Sequence, residues 1–247
     1  MKSLFATFLI LGVCFLSCKK NDSYKKNEVF KFEKLQGLDK GNKLRILDSL
    51  NNNIQTKDRD SSALNLLLDL STEYYFLNER KKSLQVTLQA LEIANKINDS
   101  LKVAKSYYYI GDSYENNLKD SAYYYYLKAE KLYFNLQQIE KVARMQFNKG
   151  YILFFEGNYT ECEVELIKAL NNLKESKNSE LKYYVLNLLG ICQEKLEDYE
   201  AALKYHELAL KEIENLRRKN SDDRKISTYY FSTIINICNI YDSKNEY

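Results

Sequence analysis

Apolar and polar positions along this chain repeat every forty residues. Four segments align on one small-residue position: LDLSTEYYFLNE around Ser71, YYIGDSYENN around Gly111, FNKGYILFFEGNY around Gly150 and NLLGICQEKLEDY around Gly190, at spacings of 40, 39 and 40 residues. Within them, strand-like alternation never lasts beyond a few residues, and apolar positions recur at helical spacing. Each unit predicts two helices, A and B, joined by a short polar turn, with the small residue near the middle of A. The pairs fall near 63–77 and 81–97, 101–117 and 120–137, 140–156 and 159–175, and 180–196 and 199–218. Asp99-Ser100, Asp120-Ser121, Gly157-Asn158 and Asp198 stand just before helical runs, where short oxygen-bearing side chains cap exposed N–H groups. One such hairpin cannot bury its apolar face alone. The period therefore predicts an all-α solenoid of stacked helical hairpins.

The ends diverge from the repeat. Residues 28–62 read as a helical cap, with Leu35, Leu38, Leu44, Leu47 and Leu50 apolar and an internal turn at Gly37 and Gly41. Residues 63–225 hold the four repeats. Residues 226–247 supply helix A of a fifth, with Cys238 and Tyr241 in the small position and its aromatic partner position. A lone helix A would leave Ile234, Ile235, Ile237 and Ile240 partly uncovered, so the chain is expected to be the front of a longer protein.

The repeats resemble tetratricopeptide (TPR) repeats. That family has a small residue in helix A, an aromatic three residues on, and small residues twelve and nineteen on. Gly190 is followed by Ala202 and Ala209, with Asp198-Tyr199-Glu200-Ala201-Ala202-Leu203 close to the consensus. Gly150 is followed by Cys162 and Ala169, and Ser71 by Tyr74, Ser83 and Ala90. Gly111 is followed by Tyr114, Ala122 and Ala129, with its turn one residue short. The period exceeds the family's usual ~34 residues, and the proline that often ends a repeat is absent, as proline is from the whole chain. Longer repeats of this type occur in kinesin light chain and in bacterial signalling proteins. The resemblance implies a right-handed superhelix whose concave face is lined by helix A positions 2, 5, 9 and 12, counting the small residue as 8. Here these are Asn65, Leu68, Thr72 and Tyr75; Lys105, Tyr108, Asp112 and Glu115; Arg144, Phe147, Tyr151 and Phe154; Tyr184, Asn187, Ile191 and Glu194. Phe147, Tyr151 and Phe154 share one stripe of their helix, and such a stripe suits an extended peptide or a helix. With Tyr108 and Asn187 they form the expected peptide-binding groove. The cationic clamp that some chaperone-binding TPR proteins use on C-terminal carboxylates is not evident.

The first residues change the expected location. Lys2 precedes an apolar run from Leu4 to Leu16, too short for the roughly 20 residues of a comfortable bilayer span but right for a signal-peptide core. Phe15-Leu16-Ser17-Cys18 then resembles the lipobox of bacterial lipoproteins, although that family usually has Leu where Phe15 stands. The resemblance implies a signal peptide at 1–17, a lipidated Cys18 and a polar tether over 18–27. Such a protein is anchored in the bacterial cell envelope, facing the periplasm or the cell surface. Two or more acyl chains are needed to hold a protein stably.

Composition limits the chemistry. Net charge is +3, and no Lys/Arg cluster pairs with an aromatic platform, which speaks against nucleic acid. The abundant tyrosine, asparagine and lysine fit codon bias of an AT-rich genome. The single histidine, His206, falls where these repeats place an aromatic packing residue. With no second histidine there is no His-rich metal site, and seven glycines are too sparse for a phosphate loop. Cys162, Cys192 and Cys238 read as buried free thiols, and Glu161, Glu163 and Glu165 as a solvated charged surface. No cofactor, metal or catalytic role is expected. The expected function is a non-enzymatic scaffold binding protein or peptide. The alternative is the sensory input segment of a histidine kinase or helix-turn-helix regulator whose output lies beyond Tyr247.

Overall fold

The structure is a computed structural model that describes residues 30–55, 61–219 and 224–245. The signal segment, Cys18 and the tether lie outside the described residues. The chain divides into two compact units, Met1–Leu38 and Asp39–Tyr247.

In the first unit, the described residues hold a single turn of 3-10 helix, Phe32–Leu35, followed by Gly37 at φ +79°. Among its described residues, every regular element of the second unit is a helix. Its helices are α1 Lys40–Gln55, α2 Ser61–Phe76, α3 Arg80–Lys96, α4 Ser100–Tyr114, α5 Lys119–Asn135, α6 Ile139–Phe155, α7 Tyr159–Asn172, α8 Ser179–Lys195, α9 Tyr199–Lys219 and α10 Arg224–Asn245. Within the expected cap at 28–62, the described residues hold one short turn, helix α1 and the start of α2. Gly41 lies inside the first turn of α1, where the Asp39 carboxylate caps Asn42 N at 3.0 Å.

Helices α2 to α9 form four consecutive hairpins, each A followed by its B, and α10 packs on α9 as a fifth A. Cores lie between successive hairpins. One joins Ala143 and Cys162 to Leu181, Val185 and Leu189, and another joins Ala104 and Ala122 to Val142 and Met145. The expected caps hold at Asp99 and Asp198, whose carboxylates accept Lys102 N and Ala201 N at 3.0 Å. Asp120 instead sits within the first turn of α5, because that helix starts a residue early behind Leu118.

The A-to-B turns follow one rule with one exception. Asn78, Gly157 and Glu197 stand seven residues after their small positions and adopt φ of 61°, 79° and 63°. Each lets the next N–H reach back to a carbonyl five residues earlier: Glu79 to Tyr74 at 2.8 Å, Asn158 to Leu153 and Asp198 to Gln193 at 2.9 Å. This left-handed cap satisfies carbonyls that the helix end would otherwise orphan. The second repeat lacks one residue here. Leu118 has φ −138° and simply continues to the Tyr114 carbonyl at 2.8 Å, with no left-handed residue in the turn.

The small positions are where A and B meet. A Cβ built on Gly111 would lie 2.5 Å from the Tyr126 ring, one on Gly190 would lie 2.5 Å from the His206 ring, and one on Gly150 would lie 3.0 Å from Leu166. Ser71, the non-glycine of the set, faces Thr87 with a hydroxyl–hydroxyl distance of 2.6 Å. The residue opposite thus follows sixteen positions after the small one, or fifteen in the shortened repeat, and a bulky partner demands glycine. His206 is fully buried without a hydrogen-bond partner for either ring nitrogen, and burial pushes its pKa down to about 4.

Three sequence expectations are corrected. Cys162 and Cys192 are buried, but Cys238 is exposed, because no helix B among the described residues covers its position. Phe231 and Ile235 on α10 are likewise 64% and 58% exposed. Glu165 is buried rather than solvated. It accepts from Lys149 at 2.7 Å and from Lys168 at 2.8 Å, and Lys149, only 3% exposed, also holds Glu130 at 2.7 Å. Burial works against both partners' charges. Ion pairing outweighs it, so the Glu165 pKa falls and the Lys149 pKa rises. Leu68, a groove position by register, is fully buried.

Two stability measurements test these packing rules. A left-handed residue other than glycine costs about 1–2 kcal/mol, partly offset by the chain entropy glycine loses on folding. Glu197→Gly should therefore raise stability by about 0.5–1 kcal/mol in urea unfolding. Gly190→Ala gains about 1 kcal/mol of helix propensity but forces a methyl into a ring that cannot retreat, an overpacking cost of about 1–3 kcal/mol. The melting temperature should fall for Gly190→Ala and recover in Gly190→Ala/His206→Thr, which shrinks the opposing side chain as at Ser71 and Thr87. An unaltered melt for the single variant would show that the approach is not tight.

Candidate peptide-binding groove

Successive A helices lie side by side, with α2 against α4, α6 against α8 and α8 against α10. Their register positions form one surface. On α6, Phe147, Tyr151 and Phe154 are each half-buried: their inner edges pack on the Cys162/Leu181/Leu189 core and their outer edges remain accessible. Rings of Phe147 and Tyr151 lie 6.3 Å apart, and Phe147 reaches Tyr184 of α8 at 6.0 Å. Phe154 turns toward Tyr159 at 5.5 Å. The row continues to α10, where Tyr229 stacks on Tyr183 at 4.4 Å and shares Glu180 with Tyr184. Asn187, also half-buried, accepts from Asn236 of α10 at 3.3 Å. Four of the five expected groove residues thus cluster on α6 and α8. Tyr108, on α4, stands apart from that row.

Tyr108 belongs to a different arrangement. It is the shared wall of two cavities, one beside the N-terminal half of α4 and one beside its C-terminal end. The first, of about 350 Å³, is lined by Leu101, Lys102, Lys105, Tyr108, Tyr133, Lys141, Arg144 and Met145. The second, of about 280 Å³, lies between α2, α4 and α6 and includes Thr72, Tyr75, Tyr108, Asp112, Glu115 and Asn148. The first cavity has four cations and no carboxylate in its lining. The second has two carboxylates.

Those two carboxylates are held from behind. The Tyr126 hydroxyl lies 2.8 Å from Asp112 Oδ1 and 3.0 Å from Glu115 Oε2. A hydroxyl has one hydrogen to donate, so the second short contact calls for a proton on a carboxyl group. Asp112 fits that role. Burial pushes its pKa up to about 7, and the nearby Glu115 adds to the rise. Hydrogen bonds from Tyr126 and Tyr108 and the charge of Arg80 oppose it. Arg80 lies across the site, its guanidinium 3.7 Å above the Tyr75 ring and its Nη1 donating to the Asp112 carbonyl at 2.8 Å. The sequence register puts Lys105, Asp112, Glu115 and Arg144 on this face beside the aromatic row. The signal that could have found the charged sites was the run Lys105, Tyr108, Asp112, Glu115 on one helical stripe.

Residues 141–211 match the tetratricopeptide repeat family. No curated protein sequence matches the chain. Solved structures share its fold at low identity. BtubC (BKLC) from P. vanneervenii is similar at a TM-score of 0.67 and 19% identity, covering 83% of each chain. Aspartyl phosphate phosphatase F from Bacillus subtilis is similar at a TM-score of 0.68 and 14% identity over 82% of this chain and 55% of its own. A STAND signal-transduction ATPase with a tetratricopeptide repeat sensor, from Pyrococcus horikoshii, is similar at a TM-score of 0.62 and 21% identity over 80% of this chain. The chain spans 55% of the phosphatase and 30% of the STAND protein. These likenesses establish the fold, a TPR-type α-solenoid. Among the described residues, no group of His, Cys, Asp and Glu side chains could hold a metal ion, and no helix is long and apolar enough to cross a membrane.

Proposed function

We propose that this chain is a non-enzymatic TPR scaffold that binds a protein or peptide segment along its A helices, exported and anchored by lipid on Cys18. The observation that carries the binding reading is the half-buried aromatic stripe Phe147, Tyr151 and Phe154, beside two cavities that meet at Tyr108. Stripes of this kind bury large area at low entropic cost, which is why aromatic anchors dominate many interfaces. The anchoring reading rests on the N-terminal sequence alone and places the protein in the bacterial cell envelope. The alternative, the input segment of a longer signalling protein, draws on the fold shared with 30% of a STAND protein that carries a tetratricopeptide repeat sensor. Reading the gene past Tyr247 decides it: a kinase, ATPase or DNA-binding region there establishes the alternative, and a stop codon removes it.

Binding is tested with the full chain on an array of immobilised peptides. Tyr151→Ala should weaken the peptides it retains by at least ~30-fold, the ~2 kcal/mol typical of an anchor, while moving the melting temperature by only a few degrees. A core residue behaves oppositely, since truncating a buried aromatic costs about 3–5 kcal/mol of stability. A collapsed melt with unchanged binding would return Tyr151 to the core. For the anchor, Cys18→Ser should release the protein from membranes, and mass spectrometry should find acyl groups on an N-terminal Cys18. Membrane retention of the variant, or persistence of residues 1–17, would sink that reading.

A further inference from the structure

The two cavities beside Tyr108 carry opposite charge and open onto the same stripe of α4. At one end are Lys102, Lys105, Lys141 and Arg144, none of which pairs with a carboxylate among the described residues. Lys105 lies 5.2 Å from the Tyr109 ring, Lys141 5.4 Å from the Tyr133 ring and Arg144 5.8 Å from the Tyr184 ring. At the other end, Asp112 and Glu115 face a space walled by Tyr75, Tyr108 and Tyr109. Tyrosine faces together with carboxylates suit a cation, through ring quadrupole and charge at once. Lys105 and Asp112 are seven residues apart on one helix, or about 10 Å at 1.5 Å per residue. An extended peptide covers that distance in about three residues.

We propose that the groove between α2, α4 and α6 reads a peptide segment by its charge order, seating an acidic side chain among Lys105, Lys141 and Arg144 and a basic side chain, about three residues along, against Asp112 and Glu115. The inference rests on the peptide-binding reading and specifies its partner: a segment carrying an acidic and a basic residue three positions apart, as in Glu-x-x-Lys or its reverse. Tyr108 forms the floor between the two charges.

The acidic end also predicts a proton exchange. The groups facing Asp112 are Tyr75 of α2, Arg80 of α3, Tyr108 and Tyr109 of α4, Glu115 at its end, Tyr126 and Tyr133 of α5, and, beyond Tyr108, Arg144 of α6. Arg80 opposes the rise in the Asp112 pKa by its charge, but its guanidinium bonds the Asp112 main-chain carbonyl rather than either carboxylate, so the charge of the carboxylate pair is met by a proton on the pair or by an incoming cation. A bound lysine side chain therefore displaces the proton, and affinity for it rises with pH through the Asp112 pKa of about 7.

The test uses the full chain and fluorescein-labelled heptapeptides that share apolar residues and differ only at two positions three apart: Glu/Lys, Lys/Glu, Glu/Glu and Lys/Lys. At least one mixed-charge peptide should bind 10-fold or more tighter than both same-charge peptides, and the advantage should shrink in high salt. Arg144→Glu should remove it and favour Lys/Lys. Calorimetry at pH 6 in buffers of different ionisation enthalpy should register proton release with the preferred peptide and none with Asp112→Asn. Equal or tighter binding of a same-charge peptide overturns the inference, as does binding without proton release. If the charge panel shows no preference while array peptides still depend on Tyr151, only this inference falls. If no peptide binds, the scaffold reading falls with it.

Discussion

The structure depends on how closely helix A approaches helix B at one position per repeat. At Gly111 and Gly190 there is no room for a methyl group, because the rings of Tyr126 and His206 occupy the space a Cβ would take, and at Gly150 a Cβ would crowd Leu166 at 3.0 Å. Helix interiors usually avoid glycine, which costs about 1 kcal/mol relative to alanine. Here the cost is offset by the burial of a large side chain across the gap. Where the opposing residue is small, as at Thr87, serine replaces glycine and a hydroxyl pair replaces the ring. Each hairpin thus sets its own spacing, and neighbouring hairpins inherit a common geometry.

That approach also shapes the groove. Tyr126 lies over Gly111, and its position there carries its hydroxyl through to the far side, between Asp112 and Glu115. Helix packing and the acidic cavity therefore share one side chain. The second repeat, which holds this arrangement, is also the repeat with the shortened turn. Its missing residue removes the left-handed cap and brings the opposing aromatic to fifteen positions after the glycine instead of sixteen.

A second constraint lies deeper. Lys149, next to Gly150 in sequence, joins Glu130 of α5 and Glu165 of α7. Gln146 extends the network to Glu130 and to Asn172, each at 2.9 Å. Removing three charges from water is expensive, and the pairing returns that energy only when every partner is in place. The cluster ties the second repeat's B helix to both helices of the third, across the boundary where the charged and aromatic parts of the groove meet.

Much of this was legible in the chain. The small positions, the order of A and B helices, the caps at Asp99 and Asp198 and the burial of His206 follow from local spacing, because helix periodicity and turn chemistry act over a few residues. The sequence register also put Lys105, Tyr108, Asp112 and Glu115 on one helix face. It could not show that α4 and α6 leave a cationic cavity between them, that Tyr126 reaches across to two carboxylates, or that Glu165 turns inward to Lys149 while Cys238 stays exposed. Those outcomes depend on which side chains meet between helices fourteen to forty residues apart. A period states that neighbours stack, while packing distances and burial in three dimensions decide which charges lose water and which remain free for a partner.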